Sequence, residues 1–457
     1  MDVFSVEGLR VTVIGAARSG AAAAELLARR GARVTLTEQA DSIADADRLS
    51  AAGIALEAGG HRRESLIDAD LVVLSPGVSL EQPFVAEART LGVPVIGEIE
   101  LACRWLKGRV IAITGTKGKS TTSTLTGRML EASGVSARVG GNIGVPLSEQ
   151  VEDSTPDTVH VIEVSSFQLE STDRFHPWVA ALLNFSPDHL DRHPNVEAYA
   201  AAKARVFQRQ GPTDWAVVNS DDAAARVIAS ATRSHRRWFG FEEVADGVTV
   251  AGDSVVERSA AGDQPLMPLS AVRVPGDHIL SDVLAATAIS RLAGATADGI
   301  TAAVRAFTGL EHAMQLVGDV AGVHFVNDSK ATNIVAAKRS FESVPSGLVA
   351  ILGGRYKGGD FRDLREPLRG RARAVVAIGE CTPRIEDALG DLLPVHRASS
   401  MDDAVRAAFG LAVPGDTVVL APACSSFDMF ASFADRGRAF MQAVARLGER
   451  SARGGEQ

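Results

Sequence analysis

The chain has 457 residues, 46% of them hydrophobic and 23% charged, and its formal net charge is −9 at pH 7. This length and apolar content predict a globular protein of several domains, and the negative charge argues against a nucleic-acid surface. Its three cysteines lack metal-site spacing, its amino terminus lacks a secretory pattern, and its apolar runs are shorter than the ~20 residues of a membrane span. We therefore expect a cytoplasmic protein without membrane contact.

The amino-terminal part begins with a predicted βαβ unit. Arg10–Ile14 and Arg33–Thr37 are predicted strands on either side of an Ala/Leu-rich helix, so a parallel sheet is expected. The turn GAARSG has Ala17 in place of the middle glycine of the dinucleotide fingerprint, which disfavours a pyrophosphate there. Glu38, after the second strand, is either a ribose ligand or a surface carboxylate, and the pattern favours neither.

A further predicted strand, Leu71–Leu74, runs into the loop Ser75-Pro76-Gly77. Open α/β sheets bind ligands at the carboxyl ends of their strands, so this loop is a candidate binding segment. We place the domain boundaries at 1–98, 99–308 and 309–457.

The most informative stretch is RVIAITGTKGKSTTSTL, which begins at Arg109. A β-branched strand leads into the turn GTKGKS and then into a predicted helix. Glycines let backbone N–H groups converge on a phosphate, and a helix amino terminus favours an anion. Lys119 supplies a charge, and the hydroxyl of Ser120 or Thr121 is placed to hold Mg²⁺. The motif is a shortened Walker A, because Ile113 stands where its first glycine belongs, and the strand and helix context favours it over a solvated turn.

Titratable residues follow the next predicted strands. Glu163 ends the strand VHVIE, where it is expected either to reach Mg²⁺ or to cap the next helix. The segment FSPDHLDRH concentrates acids and histidines after another strand, which is typical of a functional site. His189 alone would be interpreted as a surface residue, and these neighbours make it a candidate site residue. Lys203 lies in an alanine-rich helix, and its spacing alone predicts a solvated lysine.

The final third again alternates strands and helices, which predicts a third α/β domain. NDSKATN, from Asn327, and GGRYKGGDF, from Gly353, each place a lysine beside glycines or hydroxyls after a strand. We expect both at the same edge of a parallel sheet as an anion-binding surface, although either one alone is compatible with a solvated loop.

Together these segments resemble the Mur ligases of peptidoglycan synthesis over nearly the whole chain. The matching motifs, in order, are GTKGKSTT, GGNIGVPL, EVSSFQLE, LNFSPDHLDRH, AAKARVF, NDSKATN, GGRYKGGDF and APACSSFDMF. The resemblance implies a Rossmann-like amino-terminal domain for a UDP-sugar, a central P-loop ATPase-like domain with a parallel sheet, and a Rossmann-like carboxyl-terminal domain for an amino acid. SSFQLE together with NDSKATN favours the addition of D-glutamate to UDP-N-acetylmuramoyl-L-alanine, driven by ATP through an acyl phosphate.

The resemblance also implies roles for individual residues. ATP would be bound by Gly115, Thr116, Lys117, Gly118, Lys119, Ser120, Thr121, Asp328 and Lys330. Two Mg²⁺ ions would be held by Ser120, Glu163, His189 and Lys203, the last as a carbamate, and the catalytic set would be Lys119, Glu163, His189 and Lys203. The UDP-substrate would meet Arg18, Ser19, Ser75, Gly77, Asn142, Ser165 and Gln168. Glutamate would meet Thr332, Lys357, Ser426 and Phe433.

Three positions depart from the family pattern. Ile279 and Asp282 replace the two asparagines of a His-Asn-x-x-Asn motif, and Ala313 replaces an arginine expected near the ATP phosphates. Lys117 stands where asparagine is frequent, and its charge is expected to offset part of that loss. A weakly active or non-catalytic nucleotide-binding homologue, or an L-glutamate-adding variant, is therefore the alternative to a D-glutamate ligase.

A nicotinamide oxidoreductase built on the first βαβ unit is disfavoured, because Ala17 argues against it and it leaves the GTKGKS turn unexplained. We expect a monomer whose partners are small-molecule substrates.

Overall fold

The computed structural model describes residues 4–189, 192–242, 244–274, 276–344, 346–356 and 358–454. Over these residues the chain is an α/β protein with three separate sheets. It divides into two compact units, Met1–Phe307 and Thr308–Gln457.

The first sheet belongs to the amino-terminal unit. Its strands are β1 (Arg10–Ile14), β2 (Arg33–Thr37), β3 (Ala55–Glu57), β4 (Leu71–Leu74) and β5 (Val95–Gly97). Its helices are α1 (Arg18–Arg29), α2 (Ala46–Ala51), α3 (Arg63–Ile67), α4 (Pro83–Thr90) and α5 (Glu98–Cys103). All strands are parallel in the order β3-β2-β1-β4-β5, which confirms the predicted βαβ unit. The strand order reverses at β1 and β4, so the loops after these two strands meet.

The second sheet belongs to the same unit. Its strands are β6 (Arg109–Thr114), β7 (Ala137–Gly141), β8 (Val159–Glu163), β9 (Val179–Leu182), β10 (Trp215–Asn219), β11 (His235–Phe239), β12 (Gly247–Ala251), β13 (Ser254–Ser259) and β14 (Gly262–Pro268). Its helices are α6 (Lys119–Ala132), α7 (Leu147–Gln150), α8 (Ser166–Glu170), α9 (Val196–Ala204), α10 (Ala223–Ile228), α11 (Asp277–Leu292) and α12 (Ala297–Ala306). The order is β14-β13-β12-β11-β10-β9-β6-β8-β7, parallel from β7 to β12 and antiparallel beyond.

The third sheet forms the carboxyl-terminal unit. Its strands are β15 (Gln315–Val320), β16 (Val323–Asn327), β17 (Leu348–Gly353), β18 (Ala372–Ile378), β19 (Val395–Ala398) and β20 (Thr417–Leu420). Its helices are α13 (Ile334–Glu342), α14 (Arg365–Leu368), α15 (Thr382–Leu389), α16 (Met401–Leu411) and α17 (Phe433–Gly454). The order is β15-β16-β20-β17-β18-β19, parallel except for β15. Short 3₁₀ helices elsewhere in the chain span Arg205–Phe207, Ala229–Ala231, Leu269–Ala271 and Phe361–Leu364.

The central strands of the second sheet are buried along their whole length. Every residue of β8 and β9 is buried, as expected for parallel strands covered by helices on both faces. Helix α6, which follows the GTKGKS turn, packs against α11 and α12. This packing fixes the carboxyl ends of β6, β8 and β9, where the predicted site residues lie. None of the described helices is long and apolar enough to cross a membrane.

Candidate active site

A phosphate-sized cradle forms between β6 and α6. Gly118 has φ 82°, a left-handed conformation that favours glycine, and it directly precedes the first residue of α6. A Cβ at Gly118 would lie 2.1 Å from Asp282 Oδ1, so a side chain is excluded there by contact as well as by conformation. The first-turn N–H groups of a helix lack partners within the helix, and they can therefore bind an anion at this point.

Asn184 holds the turn in shape, a role that sequence reasoning did not assign. Its Oδ1 accepts from the backbone N–H groups of Thr116 at 3.0 Å and Lys117 at 2.9 Å, and its Nδ2 donates to Lys117 O at 3.1 Å. Two of the predicted phosphate donors are therefore engaged within the turn. A polar side chain two residues after the buried strand β9 was the available signal for Asn184.

Two lysines converge on the carbonyl oxygen of Gly115. Lys119 Nζ donates to Gly115 O and to Thr116 O, each at 3.0 Å, and Lys203 Nζ donates to Gly115 O at 2.7 Å. Lys203 is 1% exposed and its Nζ lies 4.6 Å from the ring centroid of Tyr199. The helix-based prediction of a solvated Lys203 is therefore wrong, because α9 presents this side chain to the cradle.

Burial and, to a smaller extent, the nearby charge of Lys119 together lower the pKa of Lys203 to about 7. A large fraction of its amine is therefore neutral near pH 7. A neutral amine is a nucleophile, whereas an ammonium group is not.

Glu163 connects three segments of the site. Its Oε2 accepts from Ser120 Oγ at 2.7 Å and its Oε1 accepts from Asn142 Nδ2 at 2.7 Å, and the residue is 2% exposed. It does not cap α8, because Ser165 occupies that position with its side chain bonded to Gln168 N. A hydroxyl and a carboxylate are hard oxygen ligands, so Ser120 and Glu163 fit one Mg²⁺ ion.

His189 packs against the aromatic rings of Phe167 and Tyr199 and, among the described residues, does not belong to a metal cluster. Its φ is 54°, and its ring packs against Phe167 with centroids 5.2 Å apart. Among the described residues, no group of three or more histidine, cysteine, aspartate or glutamate side chains is arranged to hold a metal. Within the described residues, Ser120 and Glu163 are therefore in contact, whereas His189 is not part of such a group.

Helix α8 begins with a reciprocal cap. Ser165 Oγ accepts from Gln168 N at 3.2 Å, and Gln168 Oε1 accepts from Ser165 N at 3.0 Å. Gln168 is 4% exposed, and its Nε2 is a buried donor without a hydrogen-bond partner in the described part of the chain. Such an unpaired donor is costly unless a ligand accepts from it, which supports its predicted role in substrate binding.

The predicted residues of the first sheet gather where its strand order reverses. Ser75 Oγ donates to Gly15 O at 2.7 Å, which joins the loop after β4 to the turn after β1. Arg18 Nη1 donates to Gly144 O at 2.9 Å, in the GGNIGVPL segment of the second sheet. Gly77 O accepts from Arg192 Nη1 at 3.5 Å, and Ser19 lies in the first turn of α1.

Glu38 is partly buried and is held by backbone donors, and its predicted contact with a ribose remains a prediction. Its carboxylate accepts from the backbone N–H groups of Ala16 at 2.7 Å and Ala40 at 3.3 Å, so it fixes the turn after β1. Partial burial raises its pKa, but these backbone hydrogen bonds outweigh burial and leave the pKa lowered.

Asp282 packs against the cradle from α11. It is 7% exposed, it accepts from Thr122 Oγ1 at 3.4 Å, and burial raises its pKa to about 7. The aspartate that departs from the family pattern therefore contacts the turn that would hold phosphate, where a negative charge is unfavourable for ATP.

In the carboxyl-terminal unit, β16, β20 and β17 are neighbouring parallel strands, so the loops that follow them lie at one edge of the sheet. These loops carry the predicted residues Asp328, Lys330, Thr332 and Ser426, and Phe433 begins α17. Ser426 is 2% exposed and Phe433 is 40% exposed. Lys357, the remaining predicted glutamate ligand, lies outside the described residues.

Asp328 is engaged within its own unit. Its Oδ1 accepts from Met314 N at 3.2 Å, its Oδ2 accepts from the Ser340 hydroxyl, and burial raises its pKa. Thr332 N donates to Lys330 O at 2.8 Å, which closes a tight turn in NDSKATN.

Arg436, on α17, is a residue that sequence reasoning missed. It is 1% exposed, and its guanidinium donates to Ser329 Oγ at 2.9 Å, Ser329 O at 3.0 Å, Cys424 O at 3.1 Å and Gly353 O at 3.5 Å. It therefore joins the loops that follow β16, β17 and β20. Burial lowers its pKa to about 10.

Comparison with protein families covers most of the chain. The Mur ligase MurD-like N-terminal domain matches residues 9–97, the Mur ligase middle domain matches residues 113–290, and the Mur ligase glutamate ligase domain matches residues 313–424.

Curated relatives match over nearly the full length. A protein of Acidobacterium capsulatum named UDP-N-acetylmuramoylalanine--D-glutamate ligase is 45% identical, with 96% of each chain covered. A protein of the same name from Anaeromyxobacter dehalogenans is 44% identical, over 95% of this chain and 97% of the relative.

Solved structures share the fold at low sequence identity. UDP-N-acetylmuramate-alanine ligase MurC from Thermotoga maritima is 18% identical with a TM-score of 0.56, covering 96% of this chain and 99% of that chain. MurF from Acinetobacter baumannii is 17% identical with a TM-score of 0.54, covering 98% of this chain and 93% of that chain. At these identities the likeness concerns the fold alone.

Proposed function

The chain belongs to the Mur ligase family, and from that premise we propose that it joins D-glutamate to the alanine carboxyl group of UDP-N-acetylmuramoyl-L-alanine, with conversion of ATP to ADP and phosphate. The observation that carries this proposal is the identity of 45% to a ligase of that name over 96% of both chains. The arrangement of Ser120, Glu163 and Asn142 beside the cradle supports the same reaction, which is a step of peptidoglycan precursor synthesis.

Each part of the chain takes one substrate in this proposal. Residues 1–98 bind the UDP group, residues 99–308 bind ATP, and residues 309–457 bind glutamate. The predicted contacts with the UDP group support this division, because Arg18, Ser19, Ser75 and Gly77 follow strands of the first sheet, and the GTKGKS turn for ATP follows a strand of the second. Other predicted contacts lie outside it: Asn142, Ser165 and Gln168 follow strands of the second sheet, and Asp328 and Lys330 follow a strand of the third. Three free cysteines fit the cytoplasm, where thiols stay reduced, and we propose a monomer there.

The cradle would bind the ATP phosphates through the first-turn N–H groups of α6 and the ammonium group of Lys119. The alanine carboxylate then attacks the γ-phosphorus, the bond to the β-phosphate oxygen breaks, and an acyl phosphate and ADP result. Lys119 stabilises the charge on the transferring phosphoryl oxygens, and helix amides do so without reorganisation.

Ser120 and Glu163 would hold Mg²⁺, since they place a hydroxyl and a carboxylate oxygen in contact beside the cradle. When bound, the ion neutralises charge on the phosphate oxygens. Glu163 also orients Asn142, so one carboxylate links the phosphate side of the site to a predicted substrate ligand.

Lys203 fits the proposed carbamate. Its buried, largely neutral amine can add to CO₂ to give a carbamate and a proton, which replaces a cation by an oxygen ligand. Because Lys119 lies close to Lys203, the carbamate would also replace the repulsion between two ammonium groups by an attraction between the carbamate and Lys119. With His189 it would supply the second ion site that unmodified side chains do not assemble.

In the second step the glutamate amine attacks the acyl carbonyl carbon and phosphate leaves. The amine must lose a proton to form the amide. The loops at the edge of the third sheet would hold the glutamate carboxylates, with Thr332, Ser426, Phe433 and Lys357 as the proposed ligands.

One observation favours a second candidate, a weakly active or non-catalytic nucleotide-binding homologue. The carboxyl group of Asp282 lies against Gly118, where its charge opposes phosphate binding. A protein of this kind would bind ATP poorly or without turnover.

A coupled ADP-release assay tests the proposal and separates the candidates. Purified protein, ATP and Mg²⁺ are combined with UDP-N-acetylmuramoyl-L-alanine and either D- or L-glutamate. We expect ADP release that requires the UDP-substrate and D-glutamate together. Release with L-glutamate alone would change the assignment of the amino acid, and ATP binding without release would support the non-catalytic homologue.

A further inference from the structure

His193 is a buried residue of the FSPDHLDRH segment that the proposed reaction does not use. It is 1% exposed, and its two ring nitrogens face helix α8. Its Nε2 lies 2.9 Å from Ser166 Oγ and its Nδ1 lies 3.2 Å from Glu170 Oε1. The ring therefore contacts both the first and the last residue of α8.

The face of the ring makes further contacts. It stacks on Phe167, with centroids 5.1 Å apart and planes inclined by 11°, and it packs against Tyr199 with centroids 5.0 Å apart. Tyr199 in turn lies under Lys203 Nζ, and its hydroxyl is 3.3 Å from Thr116 Oγ1 in the cradle. A chain of direct contacts thus runs from His193 to the phosphate-binding turn.

His193 also fixes the backbone around His189. The N–H of His193 donates to His189 O at 2.9 Å, and the ring of His189 packs on the same Phe167 that His193 stacks on. The guanidinium of Arg192 lies 4.5 Å from the Phe167 centroid, so Phe167 is enclosed by three side chains of this segment.

The order Ser166, His193, Glu170 is the order of a nucleophile, a base and a carboxylate. A nucleophilic serine must reach its substrate, however, and Ser166 is 2% exposed while His193 is 1% exposed. The geometry therefore suits the holding of one segment against another rather than covalent catalysis.

We propose that His193 is a positioning residue that sets α8, with its substrate ligands Ser165 and Gln168, against the segment that carries the metal-side residue His189. This inference rests on the proposed function of those three residues. Without the hydrogen bond of His193 to Ser166 and its polar contact with Glu170, α8 and the segment of His189 would no longer be held in a fixed relative position, and both UDP-substrate and Mg²⁺ binding would weaken.

His193→Phe tests the inference, because phenylalanine keeps a flat ring on Phe167 but loses the hydrogen bond to Ser166 and the polar contact with Glu170. We expect the KM for the UDP-substrate and the Mg²⁺ concentration for half-maximal rate each to rise about tenfold, the scale of a lost hydrogen bond. The KM for D-glutamate should not change, because its proposed ligands lie in the other compact unit. His193→Gln, which can still donate to Ser166 from its amide, should restore part of the loss.

His160→Phe is the matched control. His160 is also fully buried, and its Nε2 and Nδ1 lie 2.8 Å from Ser154 Oγ and 3.0 Å from Gln150 Oε1, away from α8. We expect this variant to lower the melting temperature without shifting the KM for the UDP-substrate relative to that for D-glutamate.

The result that overturns the inference is a His193→Phe enzyme with wild-type KM values, or one in which all three constants shift alike as in the control. If His193→Phe does not fold, Glu170→Ala is the second test. Glu170 is partly exposed, and its removal deletes only the contact with His193 Nδ1. This variant should raise the KM for the UDP-substrate and the half-maximal Mg²⁺ concentration by a smaller factor. Calorimetric titration with the UDP-substrate gives the same comparison without turnover. Absence of ligase activity in the wild-type enzyme would contradict the proposed function instead.

Discussion

Buried titratable side chains lie in contact with the residues of the cradle. Lys119 and Lys203 both donate to the carbonyl oxygen of Gly115, and burial, together with the charge of Lys119, lowers the pKa of Lys203 to about 7. Asp282 approaches from the opposite element, α11, and burial raises its pKa to about 7. Near neutral pH both groups therefore exist in mixed protonation states beside the phosphate site.

Lys203→Ala tests the proposed carbamate. We expect the ligase rate to fall by about 100-fold or more, the scale for loss of one electrostatic group in an active site. Added formate or acetate should restore part of the rate by replacing the missing carboxylate. Lys107→Ala, which removes an exposed lysine, is the control and should keep the wild-type rate. Full activity of Lys203→Ala in the ADP-release assay would rule the carbamate out.

Asp282→Asn tests the buried carboxyl group through stability. The folded pKa of about 7 lies above the ordinary value of 3.8, so the folded chain keeps a proton that the unfolded chain releases, and stability falls as pH rises between these values. We expect the variant to gain stability over the wild type by up to about 1.4 kcal/mol per pH unit across this interval. Above pH 7 the difference should level off.

Urea unfolding of the ligand-free protein between pH 5 and pH 8 measures this difference. Asp157→Asn, at an exposed aspartate, controls for the loss of a charge on the surface. A difference between Asp282→Asn and the wild type that does not change with pH would show that the carboxyl group is not buried in the folded state.

At the scale of elements, the parts predictable from the sequence are those that local pattern determines. The apolar and β-branched runs predicted β1, β2, β4 and β8 with their observed bounds, and the glycine turn before α6 identified the cradle. These features depend on residues adjacent in the sequence, so their signal is present without tertiary information.

The features that the sequence did not reveal depend on packing between elements. Lys203, Arg436 and His193 are polar residue types that are usually exposed, and only the arrangement of neighbouring elements buries them. Asn184 was visible within a motif, but its three hydrogen bonds to the turn appear only once β9 lies beside β6.

Arg436→Met tests whether α17 holds the loops at the edge of the third sheet. The substitution leaves the carbonyl groups of Ser329 and Cys424 without their donor. Each buried acceptor left without a hydrogen bond lowers the free energy of unfolding by about 1 to 3 kcal/mol. We expect a lower free energy of unfolding in urea and a KM for D-glutamate raised about tenfold or more, with the KM for the UDP-substrate unchanged.

Arg436→Lys is the matched variant, because it keeps the charge but loses the planar fork of donors. Its KM for D-glutamate should lie between those of Arg436→Met and the wild type. Equal KM values for all three proteins would mean that α17 does not position the glutamate ligands.

At the scale of the whole molecule, three sheets present their candidate ligand-binding residues at the carboxyl ends of parallel strands. The net charge of −9 opposes the approach of anionic substrates, so binding must rest on local groups such as Lys119 and the first turn of α6. The family's reaction transfers a phosphoryl group from ATP to an anionic substrate, and the proposal assigns the ATP phosphates and the UDP group to the amino-terminal unit.

The central claim is that the γ-phosphoryl group of ATP passes to the alanine carboxylate of the UDP-substrate. Labelling that carboxylate with a heavy oxygen isotope and analysing the released phosphate by mass spectrometry tests it most directly. We predict that each phosphate released during D-glutamate addition carries one labelled oxygen, taken from the carboxylate through the acyl phosphate. Unlabelled phosphate accompanied by amide product would contradict the account.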